Sequence, residues 1–272
     1  MLTDDASSST GGLSQKTLTA ADFARALNRN SLAELIDQHA RLAPHSERFY
    51  RVLQTNDIRR CDTFIRHLNN DEREEELAVQ GLFHAARLGS VRLLDYFLSR
   101  WKIDVNIERE DENQHQTTAL STAITANQNE AAKFLLFRHA DPSLKGRYDN
   151  ALVTALHYNS SNDLVRLLLE KNVDMTARHP DYPKLTLREY CVLTNRVQAK
   201  KQLDDYIVRL ISQGNCERLK WLVDHGYPHI SLNITSKRNT WQLAKERYYE
   251  NIVKLIDFVE ERQHRAKLKM NF

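Results

Sequence analysis

Residues 118–144 read TALSTAITANQNEAAKFLLFRHADPSL. A short helix carries a small residue, Ala123, at its centre, and a polar break follows at Asn127. A second helix ends on a leucine ridge, and Asp141 closes the unit. The same order recurs upstream in GLFHAARLGSVRLLDYFLSRWKIDVN, residues 81–106, with Ala85 and Ala86, a break at Gly89 and a closing Asp104. It recurs downstream in ALVTALHYNSSNDLVRLLLEKNVDMT, residues 151–176, with Leu167, Leu168, Leu169 and Asp174 in matching places.

Leu98 to Leu136 spans 38 residues, Leu136 to Leu169 spans 33 and Leu222 to Ile256 spans 34. A base period near 33 with one five-residue loop insertion describes a helix-turn-helix-loop unit. Such a unit cannot cover its own apolar face, so it must stack on its neighbours. Small residues (Ala85, Ala123, Ala244) let helices approach closely, and each closing Asp can accept nearby backbone amides as the chain turns away.

These residues resemble the ankyrin repeat. The resemblance is closest at Thr118-Ala119-Leu120, where the family has Thr-Pro-Leu-His. It is also close at His139-Ala140-Asp141 and at Lys102-Ile103-Asp104-Val105-Asn106, where the family has Gly-Ala-Asp-Val-Asn. Residues 239–261 look like a terminal copy. The resemblance implies an all-α ankyrin-repeat solenoid of five to seven stacked helix-turn-helix units joined by hairpin-like loops. The chain departs from the family at His139 and Asn172, which stand where a left-handed glycine is usual; asparagine tolerates that backbone better than histidine.

The expected organisation is a disordered segment over 1–16, divergent helical repeats or capping helices over 17–79 and well-defined repeats over 80–183. Irregular or compressed repeats follow over 184–236, and a C-terminal capping repeat with a basic tail occupies 237–272. Upstream, residues 22–40 and 49–68 also read as helix pairs. Leu168 to Leu222 spans 54 residues, neither one period nor two. Either a compressed helix pair over 186–206 precedes a better one over 206–228, or one long repeat holds an inserted helix.

Seven glycines and five prolines in 272 residues favour helices over a turn-rich all-β fold. A net charge of +3 is too even to call for nucleic acid or a membrane surface. Cys61, Cys191 and Cys216 are odd in number and far apart, which favours reduced thiols over a disulfide framework. The N-terminal MLTDDASSSTGGLSQKT has no apolar stretch of a secretory signal. No run reaches the roughly 18 apolar residues of a membrane helix. A cytoplasmic or nuclear monomer is expected, with the sequons at Asn159 and Asn233 as chance matches.

No phosphate-cradle, nucleophile-elbow or zinc-ligand motif occurs, so no catalytic, cofactor or metal residues are assigned. His84, His139, His157 and His225 sit in or beside repeat helices and read as structural. The run DEREEE, 71–76, reads as a solvated helix start whose acids complement the helix dipole, and the basic RQHRAKLKM, 262–270, as the end of the last helix.

In the ankyrin family, partners meet the loop tips and the exposed side of each first helix. By position the tips here are 108–115, 145–149, 178–184 and 236–239. Partner-binding candidates are therefore Glu110, Asp111, Arg147, Tyr148, Tyr182, Lys237 and Arg238, with Tyr148 and Tyr182 as anchors because aromatic residues and arginine dominate binding energy. The alternative for these tyrosines is that they only brace their own loops. The stretch LSRWKIDVN, 98–106, resembles the target of the asparaginyl hydroxylase that modifies ankyrin repeats, making Asn106 a modification candidate. The expected function is a non-enzymatic protein-interaction module, an adaptor or a masking inhibitor. The alternatives are a substrate-recognition subunit of a ubiquitin ligase and an effector delivered into a host cell.

Overall fold

A computed structural model describes residues 45–67, 71–110, 115–235 and 238–270. Residues 1–51 and 52–272 form two compact units. The segments expected to be disordered (1–16) or helical (22–40) lie outside the described residues.

The described elements are helices, paired from residue 71 on. They run α1 (His45–Gln54) and α2 (Ile58–Arg66), α3 (Asp71–Leu88) and α4 (Val91–Arg100), α5 (Ala119–Thr125) and α6 (Asn129–Phe137), and α7 (Ala151–His157) and α8 (Asn162–Glu170). Then come α9 (Leu187–Leu193), α10 (Val197–Ser212), α11 (Cys216–Asp224), α12 (Thr240–Glu246) and α13 (Glu250–Met270). Two short antiparallel hairpins stand at loops: β1 (Arg109–Glu110) with β2 (Gln116–Thr117), and β3 (Asn233–Thr235) with β4 (Arg238–Asn239).

Local chemistry sets each boundary. Thr118, Thr186 and Asn239 start α5, α9 and α12 with reciprocal capping boxes to Ser121, Glu189 and Gln242. Asn150 caps α7 by accepting the amides of Leu152 and Val153. Each pair then turns on one left-handed residue: Asn56, Gly89, Asn127, Asn159, Asn195, Gly214 and Tyr248. Beyond that residue the next amide donates to the carbonyl five residues back, at Ala85, Ala123, Ala155, Cys191, Leu210 and Ala244. Second helices end in the same way at His139, Asn172 and Gly226.

First helices stack from α3 to α5 to α7, and second helices from α2 through α4, α6 and α8 to α10. The interior they share is apolar: Ala119, Leu120, Ala123 and Ile124 of α5 are buried, as are Leu93, Leu94, Phe97 and Leu98 of α4. The leucine ridge of the sequence is thus the seam between neighbouring pairs. The closing aspartates do what their position suggests: Asp104, Asp141 and Asp174 accept the amides of Asn106, Ser143 and Thr176 at 2.9, 2.8 and 2.7 Å.

Between α9 and α11 the array departs from its period. Left-handed turns at Asn195 and Gly214 are only 19 residues apart, and α10 runs unbroken between them. It packs on α8 as a second helix and on α12 as a first helix, so one helix serves two pairs. This resolves the 54-residue interval: the loop between two units is missing and their helices are fused.

Candidate functional site

The loops 145–149 and 178–184 leave the array beside α7 and α9. His157, the last residue of α7, and Tyr190 of α9 lie beneath them. The rings form a stack. Tyr148 lies 4.8 Å from His157, His157 5.0 Å from His179, and His179 4.6 Å from Tyr190, centroid to centroid. The last two contacts are near parallel, at 20° and 14°. A guanidinium covers each end, Arg147 at 5.9 Å from the Tyr148 ring and Arg196 at 5.5 Å from Tyr190.

Inside the stack His157 Nδ1 and His179 Nε2 are 2.8 Å apart. The Asp181 amide donates to His179 Nδ1 at 3.2 Å. Burial, joined by the nearby Arg196 charge, lowers both imidazoles below their ordinary value; for His157 the other imidazole adds to this, and for His179 the Asp181 carboxylate opposes it. The pair is a neutral, hydrogen-bonded core under the two loops.

Tyr148, named as an anchor, is only 6% exposed and packs on His157, Tyr158 and His179, a position that matches the alternative of bracing its loop. Tyr182 remains 39% exposed, its ring 5.6 Å from both His179 and Tyr190, and Arg147 is exposed. His179 therefore joins Arg147, Tyr148 and Tyr182 into one surface. His157, His179 and Tyr190 were not among the sequence candidates, although His157-Tyr158 at a helix end and a histidine inside an aromatic loop were visible signals.

The other candidates among the described residues stay apart from this surface. Glu110 lies on β1, where Gln116 Nε2 donates to it at 3.4 Å. Arg238 lies on β4, paired with Glu246, and lines an open groove of about 790 Å³ with Trp241, Lys245 and Tyr248. Asp111 and Lys237 lie outside the described residues. Asn106 is half-buried, and its Oδ1 accepts the Asp141 amide at 2.7 Å, which ties one loop to the next unit.

Cys61 and Cys191 are buried, and burial pushes their thiols up to about 11 and about 12, far from thiolate chemistry. Among the described residues no cluster of histidine, cysteine and carboxylate side chains could hold a metal ion. No helix among them is long and apolar enough to cross a membrane.

Residues 82–179 match the family model for ankyrin repeats, in three copies. No curated protein matches the chain in sequence. Among solved structures, the complex of the Bd0816 predatory endopeptidase from Bdellovibrio bacteriovorus with the immunity protein Bd3460 is similar over 65% of this chain and 96% of that chain. The identity there is 19% and the TM-score 0.37, too low to carry any argument. The stacked helix pairs, their left-handed turns and the matched copies lead to one assignment: residues 82–179 are ankyrin repeats.

Proposed function

We propose that this protein is a non-enzymatic binding module that docks a partner protein on the loops 145–149 and 178–184 and the first helices beneath them. The observation that carries this reading is the ring stack. It fixes two separate loops against one support and leaves Arg147 and Tyr182 exposed over it. An aromatic ring and a guanidinium held in place before binding lose little freedom on contact, which is what a binding hot spot requires. Adaptor and masking inhibitor both follow from such a surface.

The test is affinity capture from source-cell lysate, comparing wild type with Arg147→Ala/Tyr182→Ala. Tyr148→Phe serves as the control, since it retains the buried ring. A protein held by wild type and the control but lost by the double variant supports the reading. Equal retention by all three places the partner elsewhere on the molecule.

A further inference from the structure

A second site lies where the turn of α7/α8 meets the turn of α9/α10. A cavity of about 230 Å³ opens there, walled by Asn159, Ser160 and Asn162 on one side and by Asn195, Arg196 and Gln198 on the other. Its lining includes no acidic residue, and Arg196 is its one charged group. Asp163, the next residue along α8, is paired with Arg166 at 3.2 Å.

Two polar side-chain atoms of the residues lining this cavity are buried without a partner. Ser160 is 8% exposed, and its Oγ is buried without a hydrogen-bond partner. Arg196 places Nη2 on the His157 carbonyl at 2.7 Å, yet its Nη1 is buried and unpartnered. Arg196 is also the N-cap of the 16-residue helix α10 and supplies no side-chain bond to it. The first-turn amides of Val197, Gln198 and Ala199 thus lack a side-chain cap at the cavity wall. At the preceding junction the Ser161 amide is met by Asn129 Oδ1 at 2.9 Å.

The guanidinium and the uncapped helix start are both positive, and the Ser160 hydroxyl of the same lining can donate to an acceptor beside them. Bringing them together without a counter-charge is unfavourable, and an anion would satisfy all three. We infer that this cavity is an oxyanion-binding site, taking a carboxylate or phosphate group on Arg196 Nη1, Ser160 Oγ and the first amides of α10. The ligand is a free ion or the acidic side chain of a partner. Val192, Leu193 and Val197 are exposed nearby, at 57%, 60% and 62%, and offer apolar contact to a chain carrying such a group. The site shares Arg196 with the ring stack, whose Tyr190 end that guanidinium covers.

The probe is sodium phosphate against sodium chloride at matched ionic strength and pH 7.5, followed by thermal unfolding. A ligand bound only by the folded state raises Tm with a saturable dependence on its concentration. Wild type should show that rise in phosphate. Ser160→Ala removes an unpaired buried hydroxyl, so its Tm in chloride should equal or exceed that of wild type while its phosphate Kd rises about fivefold. Arg196→Gln retains an amide donor for the His157 carbonyl and should weaken phosphate about tenfold or more. No rise beyond chloride, or the same phosphate response in wild type and both variants, overturns the site. With phosphate bound, a blocked pentaglutamate peptide distinguishes the two sources. Displacement of phosphate assigns the pocket to a partner's carboxylate, and no displacement assigns it to the free ion.

Discussion

His179 accepts the Asp181 amide at Nδ1, so its own hydrogen sits on Nε2 and is donated to His157 Nδ1. A proton added to Nδ1 of either ring would set two donors face to face. Both folded pKa values lie below the unfolded imidazole value of about 6.5. The stabilisation is therefore complete above that value and is lost as pH falls from it towards the folded values. Urea midpoints should drop between pH 7.5 and pH 5.5. His157→Gln, which retains an acceptor but cannot titrate, should flatten that drop. His157→Phe leaves a buried N–H unpaired and should cost about 1–3 kcal/mol at pH 7.5. An undiminished drop in His157→Gln would move the effect to His84 and His229, which burial also lowers. The site was only partly legible in the sequence for this reason. Residue type and position suggested loops bearing Arg147, Tyr148 and Tyr182, but which ring faces solvent depends on His179, whose partner His157 is 22 residues away in the chain.

Helix pairs carry their own constraints. A Cβ placed on Gly81 of α3 would come within 2.3 Å of the Phe97 ring of α4, so the ring lies directly on the backbone. Gly81→Ala should cost about 1–3 kcal/mol through overpacking, and Phe97→Leu in the same chain should recover part of it. Chemical denaturation of the two single variants and the double variant measures the coupling; strict additivity would show that the contact is not the cause. The turn residues act differently. Tyr248 holds φ at 59° with its ring 90% exposed, so the strain is uncompensated by packing. Tyr248→Asn should raise stability by up to about 1 kcal/mol, and a loss would reveal a contact made by the ring. At this scale the sequence was most informative. Ala123, Asn127, Leu136 and Asp141 each mark one structural job within a unit, and the unit repeats, so periodicity exposes them. The fused helix was not legible, because its buried residues Leu203, Tyr206, Ile207, Leu210 and Ile211 follow the same single stripe as any second helix, and only the missing loop sets it apart.

That fusion governs how residues 52–272 hold together. In a stacked array, stability is a sum of unit terms and neighbour interfaces, and weak junctions let segments unfold separately. Between α6 and α7 and between α8 and α9 a loop joins the pairs, whereas α10 carries the chain from one pair to the next as continuous helix and packs on α8, α9, α11 and α12. Unfolding one side of α10 therefore removes the support of the other. Two tryptophans report the two sides: Trp101, just beyond α4, and Trp221 within α11. With Trp241 replaced by Phe and only one of these two retained, the wild-type backbone should give coincident urea transitions. Asp205 lies mid-helix with its side chain exposed, so Asp205→Pro breaks the backbone without disturbing buried packing directly. It removes one helical hydrogen bond and crowds the preceding turn, a cost of about 3 kcal/mol or more. If helix continuity couples the halves, the Trp101 and Trp221 midpoints should separate in Asp205→Pro and stay together in Asp205→Ala. Midpoints that fall together in Asp205→Pro would place the coupling in the side-chain seam between α8, α10 and α12 instead.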